Sequence, residues 1–158
     1  MRYLCITDGM LAENCYLLLD EASGEAAVID PGFVNDRLLG EIAKYKVRWI
    51  LLTHGHFDHI EGVDRLRALT GAPSAAFRTE GAFAADPAQN GSLLMFGRPI
   101  ACTVDRLLED GETIHVGAVP VQVLHTPGHR AGGCCYVTPE AAFTGDTLMG
   151  YSVGRCDL

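Results

Sequence analysis

The sequence predicts one α/β domain, a sandwich in which helices alternate with strands early and strands dominate later. Two observations carry that reading. Residues 14 to 77 run strand, strand, helix, strand, helix, strand, and residues 113 to 143 are β-rich with short turns. The 158 residues suffice for one domain, 1–158, with its own core.

The elements follow in order. Asn14 to Leu19 and Ala26 to Ile29 are β-prone runs, and Asp20-Glu21-Ala22-Ser23-Gly24 between them has hairpin-turn chemistry. Asp30-Pro31-Gly32 halts the second strand. Leu38, Leu39, Ile42 and Tyr45 recur at helical spacing, so residues 35 to 45 form an amphipathic helix. Val47 to Leu52 is a continuous apolar strand, buried on both faces. Ile60, Val63, Leu66 and Leu69 mark one further helix, which Gly71 ends. Ala75 to Phe77 is a short strand, and residues 80 to 100 form a poorly periodic mixed loop over the site. Thr113 to Val116, Val119 to Leu124, Cys134 to Val137 and Ala141 to Phe143 complete the strands. Trp49 and Tyr136 are core residues, and His115 sits at an exposed alternation position.

Charge and composition exclude several classes. Twelve Lys+Arg against twenty Asp+Glu give a net charge of −8, which lacks the basic footprint that nucleic acids or anionic membranes need. The longest apolar runs, such as Trp49 to Leu52, are too short to cross a bilayer. The N-terminus shows no basic stretch followed by an apolar one, so a cytoplasmic location is expected. The six cysteines form no C-x2-C pair and are expected to be free buried thiols.

The chemistry concentrates at strand ends. His54, His56, Asp58 and His59 follow a buried strand and open a helix, placing three histidines and an aspartate within six positions. Imidazole and carboxylate in this mixture suit zinc, iron or manganese. His54 and His56 can share one metal, and Asp58 and His59 can serve a second. The bland alternative, a solvated loop with Asp58 as helix cap, fits that density poorly. Thr126-Pro127-Gly128-His129 and Thr144-Gly145-Asp146 each follow a strand as well. Alone, such a His or Asp would satisfy a turn. Three such clusters at strand ends, where α/β folds place ligands, form a specific signal.

Thr53 to His59, Thr126 to His129 and Thr144 to Thr147 resemble, in their usual order, the metal motifs of the metallo-β-lactamase superfamily. Asn14 to Leu17 and Asp30 to Gly32 look like its N-terminal landmarks, and Phe96 to Pro99 and Gly154 to Asp157 look like its small glyoxalase II-like hydrolases. The resemblance implies a four-layer αββα sandwich with metals at one edge of the two sheets. It implies His54, His56 and His129 on a first metal, Asp58 and His59 on a second, and Asp146 bridging. It implies two zinc ions in the complete enzyme, with iron or manganese as alternatives, and a small-molecule thioester such as S-lactoylglutathione as substrate. Asp58 and Asp146 would orient the attacking water, and Arg155 would clamp a glutathione carboxylate, the alternative being a salt bridge with Asp157.

Relatives carry a further metal histidine some tens of residues after the Thr-Gly-Asp motif, whereas this chain stops twelve residues past Asp146. The expectation is therefore a chain lacking the C-terminal strands and helix of the second half, with a weaker or empty second metal site. An open sheet edge would then favour a homo-oligomer. β-Lactams are set aside as substrates, because the enzymes that hydrolyse them are secreted. Two other functions are weighed. One is a mono-iron glutathione-persulfide dioxygenase using His54, His129 and Asp146; the other is an inactive metal-binding fragment. Arg130 stands where relatives often have Thr, beside a ligand, and His125 is expected to support structure.

Overall fold

The computed structural model describes residues 1–9 and 11–157. Among these residues ten strands form two sheets. The first has the order β1 (Arg2–Asp8), β2 (Glu13–Asp20), β3 (Glu25–Ile29), β4 (Lys46–Leu52), β5 (Ser74–Phe77), β6 (Arg106–Leu108). The second has the order β10 (Ala142–Phe143), β9 (Cys134–Val137), β8 (Val119–His125), β7 (Thr113–Val116). The first three strands pair antiparallel, and β3 to β6 run parallel through helical crossovers. The second sheet is antiparallel throughout.

Strand alternation sorts the side chains into two cores. Leu17, Leu19, Val28, Ile50 and Leu52 face α1 (Asp36–Ile42), α2 (Phe57–Ile60) and α3 (Val63–Thr70). Leu18, Ile29 and Leu51 point the other way and meet Val121, Val123 and Tyr136 of the second sheet. Each fully buried leucine contributes about 1.5–3 kcal/mol. The outer face of the second sheet, with His115, Gln122 and Leu124, is exposed and carries no helix among the described residues. Three layers of the expected αββα sandwich are thus in place, and the fourth is not among them.

Several sequence expectations need correction. The helix predicted from Ile60 to Leu69 is two, α2 and α3, and Leu69 is 59% exposed. Gly62 donates its N–H to the Pro31 carbonyl at 2.8 Å instead of to its own helix, and an added Cβ there would meet the Pro31 and Phe33 carbonyls at under 3 Å, so the helix breaks at this glycine. The expected loop over residues 80 to 100 contains α4 (Glu80–Ala84) and α5 (Ser92–Phe96). Helices of five residues are too short to show a period. β1 and β6 were not anticipated, since edge strands of mixed exposure carry a weak alternation. All six cysteines are free as expected, but Cys5 and Cys156 are exposed rather than buried. No helix is long and apolar enough to cross a membrane among the described residues.

The two sheets are tied where the site forms. The Tyr136 hydroxyl donates to the Leu52 carbonyl at 2.8 Å, and the Cys134 N–H donates to the Thr53 carbonyl at 2.9 Å. These bonds fix the end of β4 against the start of β9. The loops carrying His54 and His129 are therefore held side by side.

Candidate metal centre

The site grows from the end of β4. Asp30, just past β3, adopts a left-handed backbone with φ of 51°. Aspartate tolerates that conformation because its short side chain can bond locally. Its carboxylate, 2% exposed, accepts from the Thr53 N–H at 2.7 Å and the Thr53 hydroxyl at 2.6 Å. The Thr53 hydroxyl proton is thereby committed to Asp30. His54 Nδ1, 3.1 Å from the same hydroxyl oxygen, must then be the donor to it. This chain of bonds leaves the His54 lone pair on Nε2.

His54 Nε2 is buried and has no hydrogen-bond partner. An unpaired buried acceptor costs about 1–3 kcal/mol unless something binds it. His129 is prepared likewise: its Nδ1 lies 2.8 Å from the Arg155 carbonyl, which only accepts, so Nδ1 donates and Nε2 carries the lone pair. That Nε2 lies 2.9 Å from His56 Nδ1. His54, His56 and His129 thus offer three ring nitrogens within 4.8 Å of one another. Burial, and then neighbouring imidazoles, push His54 well below the usual imidazole range and His56 down to about 3. Both remain neutral near pH 7, as metal ligands must. The donor set fits a divalent transition metal.

A second trio, His54, His59 and Asp146, also lies within 4.8 Å. His59 Nδ1 is 3.2 Å from Asp30, and its Nε2 is 3.4 Å from Asp146 and 3.7 Å from Asp58. Burial opposes charge on His59, but Asp30 and Asp146 hold the imidazolium well above its usual range. Asp146 spans the two halves, with Oδ1 3.4 Å from His59 Nε2 and Oδ2 3.4 Å from His129 Nε2. Burial works against the Asp146 charge, and the His59 contact outweighs it, so its pKa is lowered. Asp58 stands outside both trios, and burial pushes its carboxyl pKa up.

Sequence reasoning brought all six ligand candidates to one place, but two supports escaped it. Glu80 is fully buried, and its carboxylate accepts from the Gly55 N–H at 2.8 Å and the Gly132 N–H at 3.1 Å. It staples the His54–His56 loop to the loop after His129. Asp30 was visible as a strand stop and a family landmark, not as a partner of Thr53. Its role shows only once β3 lies beside β4. His125 is structural as expected, stacking on Phe77 and bonding the Ala131 carbonyl. Arg155 forms a two-bond pair with Asp157 at 2.8 and 2.9 Å, the salt-bridge alternative, while its carbonyl orients His129.

A cavity of about 490 Å³ opens over His56, His129 and Asp146, walled by Phe83, Leu94 and Met95. A family model described as the metallo-beta-lactamase superfamily matches residues 8–158. The chain belongs to that superfamily. Within it, an uncharacterized Aquifex aeolicus protein is 37% identical over 95% of this chain and 72% of its own length. A probable metallo-hydrolase of Burkholderia pseudomallei is 34% identical over 90% of this chain and 58% of its own length. Among solved metallo-beta-lactamase-like structures, the BLEG-1 B3 metallo-beta-lactamase superposes with a TM-score of 0.91 at 35% identity, covering 99% of this chain and 78% of that one. ETHE1 from Myxococcus xanthus gives 0.79 at 29%, covering all of this chain and 63% of that one. TTHA1623 in a di-iron-bound form gives 0.81 at 32%, covering 98% and 77%.

Proposed function

We propose that this superfamily member is a metal-dependent hydrolase that cleaves small-molecule thioesters, glutathione-linked ones such as S-lactoylglutathione being the first to test. The observation that carries the reading is the two-part donor set, with an orphaned His54 Nε2 on one side and Asp146 spanning both halves. His54, His56 and His129 would hold one cation, and His59 and Asp146, helped by Asp58, a second. Bound divalent cations supply Lewis acidity and a water acidic enough to ionise near neutrality. Asp146 and Asp58 accept hydrogen bonds from the attacking water and orient it toward the carbonyl, and Asp58, whose pKa burial raises, takes the proton that the attack releases. A thiolate leaves without a strong acid, which suits a site whose histidines are committed elsewhere. Arg155 lines the same cavity, and its pairing with Asp157 displays the carboxylate geometry that a substrate would have to replace.

A second reading, mono-iron glutathione-persulfide oxygenation by His54, His129 and Asp146, is favoured by the 3.4 Å approach of Asp146 to His129 and by the likeness to ETHE1. The likeness to BLEG-1 also returns β-lactams to the panel, although the sequence had set them aside. The test is turnover by the purified chain, loaded separately with zinc and with iron, on thioesters, glutathione persulfide and a β-lactam. Thioester cleavage by the zinc form is the expected result. Oxygen uptake by the iron form alone, or β-lactam turnover without thioester turnover, overturns it.

A further inference from the structure

Arg130 is the cation that the proposed chemistry leaves unused. It lines the 490 Å³ cavity together with His56, His129 and Asp146. Its guanidinium carbon lies over the Phe83 ring, 3.4 Å from the centroid, and Phe83 in turn edges the His56 ring at 5.5 Å. The ring holds the cation in place, and the 18% of the side chain left exposed borders the cavity. Its hydrogen bonds are incomplete. Arg130 Nη2 forms an ion pair with the buried Glu80 carboxylate at 3.6 Å, too long for a hydrogen bond, and Nε is buried without a hydrogen-bond partner. Glu80 itself already accepts from two backbone N–H groups. The contrast with Arg155 is direct, because Arg155 spends two bonds on Asp157 and its side chain is 62% exposed, against 18% for Arg130.

We infer that Arg130 is the specificity-determining residue for an anionic substrate, receiving a substrate carboxylate in the cavity while Leu94 and Met95 cover the apolar part. The inference rests on the cavity being the substrate site of the proposed hydrolase. A mostly buried guanidinium whose one ion pair leaves its donors without hydrogen bonds gains most from a planar, two-oxygen acceptor. Exchange of a carboxylate for a neutral amide removes a charge-assisted bond, a loss of roughly tenfold or more in affinity.

The test is binding, so it does not depend on turnover. Calorimetry on the zinc-loaded chain compares an unreactive thioether acid, 3-(butylsulfanyl)propionate, with its primary amide. The wild-type protein is expected to favour the acid by at least about tenfold. Arg130→Met should erase that preference at unchanged zinc content, and Arg78→Met, at a surface arginine paired with Glu109 away from the cavity, should leave it. A preference that survives Arg130→Met, one that Arg78→Met erases, or none in the wild type overturns the inference. Should Arg130→Met fail to fold, Arg130→Lys decides. A weaker acid with an unchanged amide supports the inference, and an unchanged acid overturns it. Absence of thioester turnover with the acid preference intact would fault the hydrolase reading and leave the anion site standing.

Discussion

Glu80 shows how much of this centre depends on a residue that binds no metal. Its buried carboxylate satisfies one N–H from each ligand loop, Gly55 beside His54 and His56, and Gly132 beyond His129. Glu80→Gln puts an amide N–H where an acceptor is needed, leaving a buried donor unpaired. The expected loss is about 1–3 kcal/mol in urea unfolding, with zinc affinity reduced roughly 10–100-fold. Unchanged zinc affinity would show that the two loops hold their positions without the staple. His59 sets the pH behaviour. In the metal-free chain its pKa is raised above the unfolded value of about 6.5, chiefly by Asp30 against the opposing effect of burial. Its ion pairs therefore stabilise the chain below that pH, and the contribution is lost as pH rises through the folded pKa. Metal binding needs neutral His59, so filling the second trio should release its proton. His54 and His56, already neutral by burial, release none near pH 7. Calorimetry of a second zinc equivalent in buffers of different ionisation enthalpy should report that proton, and affinity should rise with pH. A pH-independent second equivalent would contradict the His59 assignment.

At the scale of elements, the segment from 85 to 100 is more ordered than its sequence suggests. Asn90 is fully buried, donates to the Ala84 carbonyl at 3.2 Å and the Ile100 carbonyl at 2.7 Å, and accepts from the Ser92 N–H at 3.0 Å. One side chain thus closes the loop that carries Leu94 and Met95 to the cavity. Asn90→Ala should cost about 1–3 kcal/mol, because buried carbonyls and an N–H lose partners. Faster amide exchange in residues 85 to 100 should accompany the loss. Exchange unchanged there would mean that packing alone orders the loop. The sequence made the central strands legible because β2, β4 and β8 bury whole faces and so show strong patterns. It made the ligands legible because histidine and aspartate crowd into three strand-end turns. It hid Glu80, Asn90 and the tautomer-setting role of Asp30, since each acts through a backbone group far away in sequence.

The whole molecule explains why the ligands meet. One sheet serves two cores, with helices on one face and the second sheet on the other, and the bonds from Cys134 and Tyr136 lock the sheets at the edge where β4 ends. Two sheets packed face to face thus present their loops to a common rim, and the metal donors come from both. His54 and His59 come from the first layer, while His129 and Asp146 come from the second. Metal should therefore act as a clasp between layers, adding stability because the unfolded chain holds no such site. His54 belongs to both trios, so it is the residue on which the centre depends most. The decisive measurement is metal content per chain by plasma mass spectrometry after zinc loading and exhaustive dialysis, for the wild type and for His54→Ala. The account predicts at least one tightly held zinc in the wild type and its loss in the variant. Equal zinc in both proteins, or none in the wild type, would contradict it.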